Sequence, residues 1–115
     1  MKCGTALLLF VLAGWPMAAA AQEGSANLNE TQRRGQQLLA QSCGVCHLKG
    51  DPNARTYGPP LNKAAANGDD DIMRDYILNG TPRMPAFKHY LKDDEISAII
   101  GYVRTIPVPS AAPAR

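Results

Sequence analysis

Two cysteines and a histidine lie close together near the middle of the chain, in the segment Cys43-Gly44-Val45-Cys46-His47. A C-x-x-C-H sequence has the spacing required for covalent attachment of a c-type haem. Each thiol can form a thioether bond with one haem vinyl group, and the imidazole that follows is then placed to bind the iron. The motif therefore predicts one covalently attached haem c, with Cys43 and Cys46 as attachment points and His47 as an axial ligand of the iron.

Other uses of a cysteine pair fit this chain less well. A closed structural zinc site needs four ligands, and outside the motif the sequence offers only Cys3 and His89. A thioredoxin-like redox pair requires a βαβ setting, which the sequence lacks. A disulfide between Cys43 and Cys46 is the simplest alternative, and the adjacent His47 favours haem attachment over it.

The first 21 residues have the pattern of a secretory signal peptide. Lys2 precedes an apolar run over residues 6–15, and four alanines at 18–21 supply a cleavage site after Ala21. The run is too short for a membrane-spanning helix, although a retained N-terminal anchor is the competing interpretation. We therefore expect residues 1–21 to be removed and the mature protein to be periplasmic, without a membrane span, in the compartment where bacteria attach c-type haem.

The charge and length of the chain restrict its function. The formal net charge of the full chain is +2, and loss of Lys2 with the signal peptide lowers it to +1. This balance excludes the basic footprint of a nucleic-acid-binding protein. A chain of 115 residues supports one small domain, and such domains usually need a covalent or metal staple. A haem at the centre of the core would serve as that staple.

The periodicity of apolar residues predicts an all-α domain over residues 22–106, followed by a disordered Pro/Ala-rich tail over 107–115. Asn29 and Gln32 form a capping-box pattern at the first helix, and Gly80 is placed to end the second. The predicted helices span residues 30–42, 69–79 and 93–105, with a short helical turn within 62–68.

The faces of these helices indicate how they pack. The second and the last helix each have a predicted apolar stripe. In the second helix it consists of Ile72, Met73, Tyr76 and Ile77, and in the last helix it consists of Ile96, Ile99, Ile100 and Val103. Gly35 lies in the middle of the first helix, where glycine costs about 1 kcal/mol relative to alanine. A close crossing with another helix would explain this glycine, and simple tolerance is the alternative.

The second axial position of the iron has several candidate ligands. Met84 lies in an irregular loop between Pro82 and Pro85, which can hold a thioether rigidly, and is the preferred candidate. Met73 lies among apolar neighbours and is assigned to the core, whereas His89 lies in a polar run. A His/Met ligand pair raises the reduction potential of the haem iron and suits electron transfer. An open site would instead permit peroxidase chemistry or the binding of small ligands.

With these residues in place, the chain resembles the class I cytochromes c over residues 35–103. The resemblance implies a cytochrome c fold of about four short helices around one haem, with the first and last helices crossing near Gly35. It also implies that the carbonyl of Pro59 accepts a hydrogen bond from His47 and that Met84 is the distal ligand. The matching segments are Gly35-x-x-Leu38-Leu39, Cys43-x-x-Cys46-His47, Gly58-Pro59-x-Leu61, Asn79-Gly80-x-x-x-Met84-Pro85-Ala86-Phe87 and Asp94-Glu95-Ile96.

The resemblance implies a one-electron carrier and not an enzyme. The loop around Met84 is also similar to cytochrome subunits that serve periplasmic flavoprotein or quinoprotein dehydrogenases, such as 4-cresol dehydrogenase. The expected partners are therefore redox proteins, with electrons accepted from such a dehydrogenase and passed to the respiratory chain; a haem-based peroxidase or ligand sensor is the alternative. Four basic residues are candidates for a ring around an exposed haem edge, namely Lys49, Lys63, Arg83 and Lys88. Three residues are candidate partners for the haem propionates, namely Arg55, Arg83 and Tyr57. Surface or packing roles are the alternatives in both cases.

Overall fold

The computed structural model describes residues 27–51 and 54–109. Within these ranges the chain is helical and contains no β-strand, which confirms the predicted all-α class. The elements are α1 (Glu30–Ser42), α2 (Gly44–His47), α3 (Asp70–Asn79) and α4 (Asp93–Val103), with a 3₁₀ turn over Ala65–Gly68 before α3. The predicted signal peptide and residues 110–115 of the predicted tail lie outside the described residues.

Helix α1 begins at the predicted capping box. The Asn29 side chain accepts a hydrogen bond from the backbone N–H of Gln32 at 2.8 Å, and the Gln32 side chain accepts one from the backbone N–H of Asn29 at 3.0 Å. These two bonds satisfy donors that a helix start otherwise leaves without intrahelical partners. They fix the start of the helix that leads directly into the cysteine motif.

Helices α1 and α4 cross in close contact at Gly35. A β-carbon placed on Gly35 would overlap the backbone carbonyl of Ala98. Beside this contact, the side-chain amide of Gln36 donates to the hydroxyl of Tyr102, one turn after Ala98 on α4, at 3.1 Å. The structure therefore confirms the close crossing expected at Gly35, and the contact of two helix backbones explains why this position has no side chain.

The core lies mainly along α4. All four residues of its predicted apolar face are buried, and Leu39 of α1 packs among them with 1% of its surface exposed. Helix α4 ends at Val103, two residues before the predicted boundary, because the chain then continues in a tighter turn in which the Ile106 N–H donates to the Val103 carbonyl.

Helix α3 packs against the core with a narrower face than its sequence predicts. Met73 and Ile77 are buried, but Ile72 and Tyr76 are 37% and 45% exposed, so half of the predicted stripe is wrong. Neighbouring positions on a helix point about 100° apart, and α3 reaches the core along one edge only. Asp69 caps this helix by accepting from the backbone N–H groups of Asp71 and Ile72.

The guanidinium of Arg104 ties the end of α4 to the segment that precedes α3. It donates to Asp70 at 2.7 Å and to the backbone carbonyls of Lys63 and Ala65 at 3.0 and 2.8 Å. The segment it holds includes Ala66 and Asn67, both with positive φ angles. In the part of the chain that the structure describes, no helix is long and apolar enough to cross a membrane.

Candidate haem-binding site

The C-x-x-C-H motif forms a single helical turn, α2, directly after α1. The backbone N–H of Cys43 donates to Leu39 at the end of α1, and the N–H of His47 donates to the carbonyl of Cys43 at 3.0 Å. Residues three and four positions apart share one face of a helical turn, so Cys43, Cys46 and His47 lie on the same side of the chain. The sequence did not predict α2, since it is one turn long and begins with Gly44 and Val45, which are poor helix formers.

Both cysteines of the motif carry free thiols. The structure therefore does not contain the alternative disulfide between Cys43 and Cys46. Cys43 is buried at the edge of the core, and this burial, together with the neighbouring Cys46, raises the pKa of its thiol. Cys46 is half-buried, and Val45 between them is 92% exposed, so the motif lies where the core meets the surface.

The imidazole of His47 is held by the loop that contains Gly58 and Pro59. Its Nδ1 lies 2.8 Å from the carbonyl oxygen of Pro59, and since a carbonyl can only accept, Nδ1 carries the proton. The other ring nitrogen, Nε2, then has its lone pair available for a metal. Sequence reasoning had pointed to this proline carbonyl as an acceptor for a metal-bound histidine.

Gly58 supports the ring of His47 from the side. A β-carbon on Gly58 would lie 2.5 Å from Cε1, 2.7 Å from Nδ1 and 2.9 Å from Nε2 of His47. The ring therefore packs directly against the backbone of Gly58, whose own N–H donates to the carbonyl of Cys46 at 2.8 Å. Sequence reasoning listed this glycine only as part of a motif, and its contact with the ring requires the folded loop to be seen.

Met84 ends a tight turn that follows α3. The backbone N–H of Thr81 donates to the Met84 carbonyl at 2.8 Å, and the N–H of Met84 donates back to Thr81 at 3.1 Å. Gly80 leaves the helix with a φ of 72°, and a β-carbon there would lie 2.5 Å from the Met84 carbonyl oxygen. The Met84 side chain is half-buried and packs against the core. The turn is thus rigid and presents its methionine inward.

The competing candidates for the second axial ligand occupy different environments. Met73 is 6% exposed and belongs to the core, as its helical position predicts. His89 is exposed on the turn after Phe87. Among residues 27–51 and 54–109, no group of three or more His, Cys, Asp and Glu side chains is arranged to hold a metal ion.

A cavity of about 460 Å³ opens beside His47. Gly58 and Leu61 form part of its wall, and Lys49 and Arg55 bring two cationic side chains to it. Of the three candidate propionate partners, Arg55 therefore borders this cavity. The other two contact each other: the Arg83 guanidinium lies 4.8 Å from the centre of the Tyr57 ring and donates to the Tyr57 carbonyl at 3.3 Å.

The residues present fit a covalently bound haem. Two free thiols and one imidazole lie on the same helical turn. Nδ1 of this imidazole is hydrogen-bonded to Pro59, and Nε2 is available to the iron. The half-buried thioether of Met84 lies on a rigid loop. Together with α1 and α4 crossing at a glycine, this arrangement defines the class of small c-type cytochromes.

Comparison with known proteins gives the same class. The sequence model of the family described as "Cytochrome C oxidase, cbb3-type, subunit III" matches residues 30–103, which include every described helix. The chain belongs to this family of cytochrome c domains.

Individual relatives agree with the family. The chain is 32% identical over 78 residues to cytochrome c6 of Diacronema lutheri, a match that covers 60% of the chain and 88% of that protein. It is 34% identical over 74 residues to cytochrome c6 of Leptolyngbya boryana, covering 60% and 85%. It is also 27% identical over 99 residues to the cytochrome c subunit of 4-cresol dehydrogenase from Pseudomonas putida, covering 85% and 82%.

The family settles the cofactor and the general role. Its members bind a covalently attached haem c with iron, and Cys43 and Cys46 fit the attachment motif. The protein is therefore an electron-transfer haem protein that works with redox partners, and its relatives are electron carriers and not enzymes by themselves.

Proposed function

We propose that this protein is a periplasmic monohaem cytochrome in which His47 and Met84 are the two axial ligands of the iron. The observation that carries the proposal is the contact of His47 Nδ1 with the Pro59 carbonyl, 2.8 Å away. This hydrogen bond fixes the tautomer and directs Nε2 away from the loop. A histidine prepared in this way is suited to act as a permanent ligand.

The chain contributes attachment and rigidity to electron transfer. Cys43 and Cys46 hold the cofactor by thioether bonds, and His47 is held by its hydrogen bond to Pro59 and by its packing against Gly58. When bound, the haem iron supplies a one-electron couple. Because the ligand side chains cannot move far between the two oxidation states, the protein keeps the structural change that accompanies each electron small.

Met84 closes the second side of the site. Its turn is fixed by two backbone hydrogen bonds between Thr81 and Met84 and by Gly80 at its base. The loop is further anchored to α3, since the backbone N–H of Phe87 donates to the carbonyl of Ile77 at 2.9 Å. A thioether held in this way supports a closed six-coordinate iron, which favours electron transfer over the binding of small ligands.

We further propose that electrons enter from a periplasmic flavoprotein or quinoprotein dehydrogenase and leave to the respiratory chain. The relative named as a 4-cresol dehydrogenase cytochrome subunit supports this donor class, and the signal-peptide pattern of residues 1–21 supports export. Val45 and Leu48, 92% and 43% exposed, give the surface around the attachment motif an apolar character. Partners would dock there, with the exposed Lys49 nearby.

An absorption spectrum tests the ligand pair first. The purified, exported protein is measured oxidised and reduced, before and after addition of carbon monoxide. A low-spin spectrum with the sulfur-to-iron charge-transfer band at its red end, and no change with carbon monoxide, is the expected result. Ready carbon monoxide binding would show that Met84 does not hold the iron, and a peroxidase or sensor would then be the better assignment. Met84→Ala should abolish the band, and Met73→Leu, which conserves core volume, should retain it.

Two further measurements test compartment and donor. N-terminal sequencing of the protein from the periplasmic fraction should begin at Gln22, and its intact mass should exceed that of the polypeptide by one haem. Stopped-flow reduction is measured with a purified flavoprotein phenol dehydrogenase and with a purified quinoprotein alcohol dehydrogenase; it should be fast with one of them and should slow with added salt if exposed cations guide the encounter. An N-terminus at Met1, or no reduction by either dehydrogenase class, would contradict these assignments.

A further inference from the structure

Two short loops hold the two proposed axial ligands of the iron in place, and hydrogen bonds make each loop rigid. The first, residues 56–59, is fixed to α2: the Gly58 N–H donates to the Cys46 carbonyl, and the Thr56 hydroxyl donates to the Gly58 carbonyl at 2.7 Å. The second, residues 80–84, is fixed to α3 and closed by the backbone bonds between Thr81 and Met84. Their separation determines how far Met84 stands from His47.

A side-chain contact joins these two loops. Arg83 lies with its guanidinium carbon 4.8 Å from the centre of the Tyr57 ring, within the range of a cation–π interaction. The same guanidinium donates a hydrogen bond to the Tyr57 main-chain carbonyl at 3.3 Å. A planar guanidinium can stack on a ring and donate at its edge at the same time, which an ammonium group does less well.

The positions of the two residues make this contact relevant to the iron. Tyr57 is adjacent to Gly58, which packs on the His47 ring, and two positions before Pro59, which accepts from it. Arg83 is adjacent to Met84. The pair is exposed, with 59% of the Tyr57 surface accessible, and lies outside the apolar core. The Arg83–Tyr57 contact therefore mainly restrains the spacing of the two surface loops and contributes little to the free energy of folding.

We infer that Arg83 and Tyr57 form a clamp that holds the Met84 turn against the His47 loop, so that Arg83 is a positioning residue for the thioether ligand. The inference rests on the proposed His47/Met84 pair. It assigns Arg83 and Tyr57 a role other than binding the haem propionates or ringing a docking surface. Loss of the clamp leaves the fold and both ligands in place but lets the Met84 turn move away from the iron more often.

Ligand exchange measures that movement. Imidazole added to the ferric holo-protein competes with the Met84 sulfur, and the decay of the sulfur-to-iron charge-transfer band gives the exchange rate. Arg83→Ala should raise this rate about fivefold, from the usual strength of an exposed cation–π contact. Tyr57→Ala should raise it similarly, and the double variant should be no faster than the faster single variant because both remove one contact.

Conservative variants separate the clamp from general effects. Tyr57→Phe keeps the ring and the carbonyl and should exchange at the wild-type rate. Arg83→Lys keeps the charge but not the planar fork and should fall between wild type and Arg83→Ala. Lys88→Ala removes one positive charge from the segment after Met84 and should leave the rate unchanged. The denaturation midpoint of each variant should equal that of the wild type.

The outcomes distinguish the clamp from the proposed function. A wild-type protein that shows the band, with Arg83→Ala and Tyr57→Ala both exchanging at the wild-type rate, would overturn the clamp and leave the His47/Met84 assignment standing. An equal acceleration in Lys88→Ala would also overturn it, since charge alone would then be responsible. A wild-type protein without the band would overturn the ligand assignment and the clamp together.

Discussion

Gly35 and Ala98 bring the backbones of α1 and α4 into direct contact, so that a β-carbon on Gly35 would overlap the Ala98 carbonyl. Interiors are packed too densely to absorb such an overlap by a small shift. The helices would have to separate along their whole contact, which includes the fully buried Leu39 and Ile99. The crossing therefore sets the distance between α1 and α4 in the core, and α2 with its cysteines continues directly from α1.

Replacing Gly35 by alanine should destabilise the holo-protein by about 2–4 kcal/mol, the upper range for overpacking against a rigid backbone. Denaturant unfolding followed by circular dichroism measures the change. Gly101→Ala is the matched control on α4, because a β-carbon there meets nothing within 4 Å. This control should be neutral or stabilising by up to about 1 kcal/mol, since alanine favours helix. Equal midpoints for the two variants would contradict the close crossing.

Gly58 should be as restrictive for the site as Gly35 is for the fold. Gly58→Ala would place a methyl group 2.5–2.9 Å from three atoms of the His47 ring, and the ring must rotate or the loop must retreat. Either movement weakens the bond to Pro59, so the ferric electron paramagnetic resonance spectrum and the reduction potential should both shift. Gly44→Ala on α2 is the control, because its nearest contact would be the flexible Leu48 side chain at 3.4 Å, and the Leu39 carbonyl oxygen at 3.8 Å is at ordinary van der Waals distance. An unaltered spectrum in Gly58→Ala would show that the ring does not depend on this contact.

Local signals account for the parts of the fold that the sequence predicted correctly. The bounds of α1, Glu30–Ser42, follow from a capping box and from helical periodicity, and α3 ends where Gly80 provides a positive φ. These features depend on residues a few positions apart. The C-x-x-C-H motif is equally local, and for that reason the cofactor could be predicted from five residues.

Contacts between distant segments could not be predicted in the same way. The exposure of Ile72 and Tyr76 depends on which edge of α3 meets the core, and the sequence pattern gives only the stripe. Arg83 and Tyr57 are 26 positions apart, and nothing in either neighbourhood indicates their pairing. The resemblance to cytochromes c indicated the Pro59 carbonyl but not the packing of Gly58 on the imidazole.

Arg104 should contribute more to stability than Arg34, whose ion pairs join α1 to α4. Arg104 is 21% exposed and donates to two backbone carbonyls as well as to Asp70, so Arg104→Lys leaves at least one of these carbonyls without its charged donor. We expect a loss of about 1–3 kcal/mol in unfolding free energy. Arg34 is 50% exposed and pairs with Asp94 and Glu95, and Arg34→Lys should cost no more than about 0.5 kcal/mol. Comparable losses in both variants would show that the carbonyl contacts of Arg104 are not important for stability.

Removal of the cofactor should affect the whole domain. Among the residues that the structure describes, the fully buried large side chains are few, namely Leu39, Ile96, Ile99 and Val103, and a core of this size gives a small domain little stability by itself. The double variant Cys43→Ser/Cys46→Ser, which cannot form thioethers, should lack covalent haem on a denaturing gel stained for haem. It should also lose most of its helical circular dichroism at room temperature. The single variant Cys46→Ser should keep one thioether and an intermediate midpoint, because Cys43 is the more deeply buried attachment point. A double variant that remained helical with a cooperative transition would show that the polypeptide core is sufficient without the haem.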